Sequence, residues 1–322
     1  MQIGIKRLNI TKLPGHPLFP GVTVFVFIFT LNAVLDPRFF TAGTVYGNFS
    51  VLTPVIIATI AQSIVILGGN IDLSIGASIS LINCILAVTL VGTLGADVLG
   101  LGIALAAALS VSLVNGILVA YLGLPSMVAT FAMSTVLAGI TLWVLPIPGG
   151  FIPRWLPDFY AFQIGGVVPV TAFILLFVGL ILYCVSRTRF GRYIYAVGGN
   201  EAASAASGIN SKKIKLYSFL LSGFFIWLTA LAVTGQTGAG DFRLGTPFTL
   251  TSIAASIMGG IAITGGKGRM LGAALGGAAM MLITNVIFFA RIPSFYQDMI
   301  RGMIVIVALF IAAVPKLRKL EN

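Results

Sequence analysis

Apolar residues occur along this chain in runs of about 20, separated by short polar segments. A helix of about 20 residues crosses the roughly 30 Å hydrocarbon core of a bilayer, so such runs are typical of transmembrane helices. The pattern predicts spans near residues 18–35, 49–67, 73–92, 98–121, 126–145, 163–185, 216–234, 247–263, 270–290 and 298–314. We therefore expect an all-α polytopic membrane protein with about ten transmembrane helices.

Composition supports this expectation. Of 322 residues, 58% are hydrophobic and 8% are charged, whereas soluble globular proteins carry roughly 25% charged residues. The mean hydropathy of +1.08 means that one protein core cannot bury all the apolar surface. A soluble domain is excluded, and residues 1–322 are expected to form a single transmembrane domain.

The net charge of +11 is distributed in a way that sets the expected orientation. Twelve of the 19 basic residues lie in three groups, within residues 6–12, 187–215 and 316–319. Each group flanks an apolar run, and cytoplasmic segments are enriched in Lys and Arg. Six spans precede the middle group and four follow it, so both termini and the 187–215 segment are predicted to be cytoplasmic. A nucleic-acid-binding face is the weaker interpretation, and no nucleic-acid partner is expected.

The segment 187–215 is the only polar stretch long enough to meet a soluble partner. Gly198-Gly199 is expected to end any preceding helix, and Asn200 is a suitable N-cap for a short helix beginning at Glu201. Gly208 is a suitable C′ glycine. The segment therefore predicts a cap, two helical turns rich in Ala and Ser, and a stop. A plain connector remains the alternative.

Two further glycine pairs interrupt apolar runs. Gly68-Gly69 is followed by Asn70, Asp72 and Ser74, and the pair Gly265-Gly266 is followed by Lys267. Two interpretations remain open: ordinary cytoplasmic turns, or discontinuous helices that line or gate a pathway. The pathway or gating candidates are Asn70, Asp72, Ser74, Gly265, Gly266 and Lys267.

Catalytic and metal-binding motifs are lacking in this sequence. A Walker A loop needs Gly-x-x-x-x-Gly-Lys followed by Ser or Thr, but Gly266-Lys267 is followed by Gly268, and Ile261 stands where the first glycine is required. The single His and two Cys residues make a metal site improbable on composition. We expect no enzyme activity, no bound cofactor and no metal. An ion-coupled secondary transporter is the rival function, with Asp72 and Asp298 as its candidate carboxylates, and an enzyme acting on lipid-linked sugars is less favoured.

Three motifs resemble one family. The stretch from Phe190 to Ala203 (FGRYIYAVGGNEAA), followed by Ser207-Gly208-Ile209, resembles the cytoplasmic loop of ribose-type ABC sugar importer permeases, which work with a binding protein. Residues 67–76 (LGGNIDLSIG) and 258–269 (MGGIAITGGKGR) resemble two other motifs of this family. The similarity covers about residues 45–312. It departs from the family pattern at the inserted Asn70 and at Ile261-Ala262, where the family carries Thr-Ser.

The resemblance implies a permease domain whose 187–215 segment is a coupling loop. Residues implied in contact with an ATPase are Gly198, Gly199, Asn200, Glu201, Ala202, Ala203, Ser207, Gly208 and Ile209. It also implies an ABC ATPase subunit that uses ATP, a periplasmic or extracellular sugar-binding protein, a second permease subunit, identical or paralogous, and surrounding membrane lipid. The expected location is the bacterial cytoplasmic (inner) membrane, and the expected solute is a monosaccharide or related small polar molecule.

Overall fold

The computed structural model describes residues 18–289 continuously and, beyond them, residues 296, 299, 300, 302 and 303. Its helices are α1 (Phe19–Leu35), α2 (Ala42–Leu67), α3 (Ile75–Thr89), α4 (Leu94–Ala120), α5 (Ser126–Val144), α6 (Trp155–Ala161), α7 (Val170–Arg187), α8 (Arg189–Gly199), α9 (Glu201–Ala206), α10 (Ser211–Thr237), α11 (Thr246–Met258) and α12 (Met270–Phe289). Strands β1 (Gln163–Ile164) and β2 (Val168–Pro169) form a small antiparallel hairpin. The predicted all-α class is confirmed.

Six of the described helices are long and apolar enough to cross a membrane: α2, α4, α5, α7, α10 and α12. Three shorter apolar helices lie at Gly21–Leu35, Ile75–Thr89 and Thr246–Met258. Helices thus occupy nine of the ten predicted segments, whereas the tenth, 298–314, lies outside the continuously described range. The polytopic membrane fold is confirmed, while the count of ten spans and the cytoplasmic placement of the termini stay predictions.

The centre of the bundle is built on α2 and α10. The half of α2 that follows Pro54 is almost completely buried, and α10 packs against both α2 and α4. Small residues permit the α10–α4 contact, because a Cβ atom at Gly223 would overlap Ser112 and one at Gly116 would lie 2.7 Å from the Leu216 side chain. Close backbone approach through small residues is the usual way for helices to pack in lipid.

Several predicted boundaries were wrong by a few residues. The segment 163–185 begins with the β-hairpin rather than a helix, because Gly165 and Gly166 adopt positive φ in the turn and Pro169 precedes α7. The segment 247–263 is helical only to Met258, because Gly259 and Gly260 end α11. Hydropathy alone misses both features, since it does not record where the backbone turns.

Candidate functional site

The polar segment 187–215 folds locally as the sequence predicts. Thr188 caps α8, which ends at Gly199, and the side chain of Asn200 accepts a hydrogen bond from the N–H of Ala203 at 2.9 Å to begin α9. The C-terminal glycine, Gly208, has φ +80°, a conformation that glycine adopts without steric cost. The predicted cap, short helix and stop are confirmed as local structure.

Helix α9 presents an almost unobstructed surface. Every residue of α9 except Ser204 is exposed, including Ala202 and Ala203, and so are Ser207 and Gly208 beyond it. Ile209 is half-buried and packs against the main core. The exposed face carries only Glu201 and small side chains, so another surface can approach its backbone closely.

An ion pair joins α9 to the second turn of α10. Nζ of Lys215 lies 2.6 Å from Oε2 of Glu201, with the lysine side chain 17% exposed and the glutamate 52% exposed. A pair this accessible to solvent contributes at most about 1 kcal/mol. Its effect is to orient α9 more than to stabilise the fold.

Five glycines from three pairs that are far apart in sequence meet at one point. A Cβ atom at Gly265 would lie 2.7 Å from Cα of Gly69 and 2.8 Å from the carbonyl oxygen of Gly198. A Cβ atom at Gly198 would overlap the carbonyl oxygen of Leu67, which accepts a hydrogen bond from the N–H of Gly266 at 3.0 Å. This three-way backbone contact is called the glycine node here: Gly69, Gly198, Gly199, Gly265 and Gly266.

The glycine node joins the two sets of residues that the sequence singled out separately. Gly198 and Gly199 end α8 directly before α9, whereas Gly69 lies in the connection from α2 to α3, and Gly265 and Gly266 lie in the connection from α11 to α12. Backbone packed on backbone has no flexible side chain between the parts. The end of α8 is therefore in direct backbone contact with both connections.

The connection between α2 and α3 lies inside the bundle. Gly68 lies beside Ser218 of α10, and Nδ2 of Asn83 donates to Oγ1 of Thr234, also in α10, at 2.8 Å. From the helical rise per residue, these two contacts are about 24 Å apart along α10. Ile75 begins α3 about 12 Å before Asn83 along the helix axis. Helix α3 therefore starts about halfway across the span of α10.

Helix α11 begins at a similar depth and meets α3 there. The N–H of Gly245, just before α11, donates to Oγ of Ser80 at 2.9 Å, and the N–H of Gly76 donates to Oγ1 of Thr249 at 3.1 Å. Both helices are short, and their N-terminal ends lie together within the bundle. Of the two open interpretations, discontinuous helices fit the Gly68-Gly69 segment. Gly265-Gly266 instead lies in a loop after α11 has already ended.

A buried polar cluster occupies the α2–α3 connection. Oδ1 of Asp72 accepts from the N–H of Ser74 at 2.8 Å and from its hydroxyl at 2.6 Å, and Nδ2 of Asn115 donates to Oγ of Ser74 at 2.8 Å. The three residues are at most 1% exposed. Within the described part of the chain, Oδ2 of Asp72 and Oδ1 of Asn115 have no hydrogen-bond partner. The cluster therefore has two buried acceptors that lack a donor among the described residues.

Helix α5 satisfies the extended backbone beside this cluster. The N–H of Ile71 donates to Oγ of Ser126 at 3.1 Å, and the N–H of Leu73 donates to Oγ1 of Thr130 at 2.9 Å. Asn70, which is 7% exposed, donates to the carbonyl oxygen of Gly68 at 3.1 Å. Buried non-helical backbone requires partners of this kind.

The structure brings together only some of the predicted pathway residues. Asp72 and Ser74 share the polar cluster, and Gly265 and Gly266 share the glycine node, whereas Lys267 is exposed. The sequence did not indicate Asn115 as a member of the cluster, because an amide within an apolar run does not reveal its partner. The secondary-transport candidate Asp298 lies outside the described residues.

Comparisons with known proteins identify the family of this chain. The family model described as branched-chain amino acid transport system / permease component matches residues 46–309. The ribose import permease protein RbsC of Escherichia coli strain K12 is 30% identical over 291 residues, which are 88% of this chain and 90% of that protein. The autoinducer 2 import system permease protein LsrC of Salmonella typhimurium strain LT2 is 28% identical over 292 residues, which are 89% of this chain and 82% of that protein. No solved structure gives a significant match. The resemblance to ribose-type ABC permeases is thus confirmed, and the chain belongs to the branched-chain amino acid transport system / permease component family.

Proposed function

We propose that this chain forms part of the translocation pathway for a monosaccharide or related small polar solute and is driven by a separate ABC ATPase that docks on α9. The proposed assembly contains a second permease subunit and receives solute from an extracytoplasmic binding protein. Its ten spans lie in the bacterial cytoplasmic membrane, with both termini in the cytoplasm. ATP is used by the ATPase, and this chain holds no cofactor.

The glycine node is the observation that supports coupling through this loop. Helix α9 offers a surface of small residues, and α8 ends in backbone contact with the connections that flank α3 and α12. A force on α9 therefore reaches the α2–α3 connection without first compressing a side chain. That connection carries the buried Asp72 cluster, whose unpaired acceptors would suit the hydroxyl donors of a sugar once the connection moves.

The solute class rests on the relatives and on this polar cluster. A ribose importer permease and an autoinducer 2 importer permease both align along most of the chain. Family membership does not favour the ion-coupled secondary transporter. Ribose is therefore the first solute to test.

Docking on α9 is tested with two single variants, each of which replaces an exposed alanine with arginine. Ala202→Arg places a long charged side chain on the exposed face of α9, while Ala161→Arg makes the same change at the exposed end of α6. The tagged variants are purified in mild detergent, and co-purifying ATPase is measured by mass spectrometry and ATP hydrolysis. We expect Ala202→Arg to lose the ATPase and Ala161→Arg to retain it. Equal retention by both variants would refute docking on α9.

Energy coupling is tested by uptake of ribose into membrane vesicles that contain ATP, with and without a protonophore. Uptake that requires ATP and survives the protonophore supports the ABC mechanism. Uptake that is abolished by the protonophore while ATP remains high would support the ion-coupled transporter instead.

A further inference from the structure

One face of α7 is an exposed apolar stripe that ends at a positive charge. Leu176, Leu180 and Tyr183 are 70%, 57% and 53% exposed, and Arg187 is exposed at the end of the helix. Their spacing of three or four residues places them on the same helix face. The stripe has the polarity profile of a surface that contacts lipid tails along its length and headgroups at its end.

A cavity of about 490 Å³ opens where this stripe ends. It lies between the end of α7, α8 and the beginning of α12, with Leu182, Met270 and Leu271 on its apolar side. Ser186, Arg187 and Arg269 are on its polar side. The cavity is called the Arg187 pocket here.

The side chains of the Arg187 pocket are arranged for an anion. Nη2 of Arg187 donates to the hydroxyl of Tyr183 at 3.0 Å, and the guanidinium carbon lies 5.0 Å from the centre of that ring, so both contacts hold the guanidinium beside the pocket. Arg269 supplies a second guanidinium, and the described residues that line the pocket include no carboxylate. Tyr195 also lines the pocket, and burial raises the pKa of its hydroxyl further above neutral pH, where an ordinary tyrosine is already protonated.

We propose that the Arg187 pocket binds the phosphate of an anionic phospholipid, with an acyl chain lying along Leu180 and Leu176. Guanidinium groups bind phosphate through paired, charge-assisted hydrogen bonds. Basic pockets between helices at the cytoplasmic boundary are suited to anionic headgroups. A free phosphate ion shares the charge but has no tail to use the stripe, so the combination of pocket and stripe points to a lipid. The orientation of α7 in the membrane determines only the leaflet from which the lipid binds. The proposal does not depend on which solute is transported.

The pocket is tested by native mass spectrometry of the detergent-purified chain with added phosphatidylglycerol or phosphatidylcholine of matched acyl length. We expect the wild type to bind phosphatidylglycerol about tenfold more tightly than phosphatidylcholine. The double variant Arg187→Gln/Arg269→Gln should lose that preference. Arg189→Gln, which removes a neighbouring exposed arginine that does not line the pocket, should keep it.

Two outcomes would overturn the proposal. The first is an unchanged phosphatidylglycerol preference in the double variant, provided that both variants elute and unfold like the wild type. The second is complete displacement of phosphatidylglycerol by millimolar inorganic phosphate, since that would make the site a phosphate site without use of the stripe. Retention of the lipid against phosphate supports the assignment.

Discussion

Replacing Gly198 with alanine separates the effect of the glycine node from that of helix propensity, because the two effects change the free energy of unfolding in opposite directions. Alanine stabilises a helix interior by about 1 kcal/mol relative to glycine, and Gly198 lies within α8 without a positive φ. In the folded protein, however, the new Cβ atom would overlap the carbonyl oxygen of Leu67 and lie 2.9 Å from the backbone nitrogen of Gly266. Propensity alone thus predicts a more stable variant, and tertiary contact predicts a less stable one.

The contact is expected to dominate. The overlapping atoms belong to backbone, which cannot rotate away as a side chain would, and forced repacking of this kind costs about 1–3 kcal/mol. Separating the backbone segments of the glycine node also weakens the hydrogen bond from the N–H of Gly266 to the carbonyl oxygen of Leu67, which is worth about 0.5–1.5 kcal/mol. After subtracting the gain in propensity, we expect a net loss of about 0.5–3.5 kcal/mol in the free energy of unfolding.

Gly199→Ala is the matched control. It makes the same change at the next residue of α8, where the added Cβ atom would lie 3.8 Å from Cα of Gly266, an ordinary van der Waals contact. Thermal unfolding of both purified variants and ATP-dependent ribose uptake at equal membrane abundance are measured. We expect Gly198→Ala to lower uptake about tenfold or more and Gly199→Ala to change it less than about twofold. If the two variants unfold and transport alike, the tight contact at the glycine node and its role in coupling are both refuted.

Three further substitutions test local parts of the same mechanism. Asn200→Ala removes the cap of the six-residue α9 at a cost of about 1 kcal/mol, so hydrogen exchange in α9 should rise and uptake should fall. The same change at Asn210, which caps the long α10, should leave uptake intact. Equal effects of the two variants on uptake would contradict a specific need for α9. Asp72→Ala leaves the buried N–H and hydroxyl donors of Ser74 without an acceptor, which should cost about 1–3 kcal/mol and reduce the membrane abundance of a fluorescent fusion. Asp72→Asn should restore abundance because an acceptor oxygen remains. Failure of this rescue would argue against the hydrogen-bonding role of Asp72. Gly245→Ala should lower the midpoint of thermal unfolding by several degrees, since its Cβ atom would lie 2.7 Å from the N–H nitrogen of Ser80, and an unchanged midpoint would show that the α3–α11 contact is loose.

Local features of this protein were predictable because they depend on neighbouring residues. Runs of apolar residues mark nine of the twelve helices in the described part of the chain, and Asn200 and Gly208 mark the ends of α9. Such features follow from helix length, from backbone N–H groups that need a cap, and from the freedom of glycine at positive φ. The boundaries near the β-hairpin and at Met258 were missed, since hydropathy averages over the turns that set them.

The candidate site was only partly predictable for the opposite reason. The sequence indicated Asp72 and Ser74 but gave no ground for choosing Asn115 as their partner, because Asn115 is separated from them by the whole of α3 and much of α4. It also grouped Lys267 with them, and the structure leaves that side chain exposed outside the cluster. Side-chain partners across a bundle depend on helix rotation and depth, which no local pattern encodes.

The sequence by itself determined that this chain is a polytopic membrane permease, because hydropathy, charge placement and three family motifs are all local properties. Tertiary structure alone decided that five glycines from three distant segments form one contact and that α3 and α11 begin within the bundle. These features require backbones distant in sequence to approach within van der Waals distance. A glycine in the sequence permits that approach, but only the packing of the helices determines which backbone it meets.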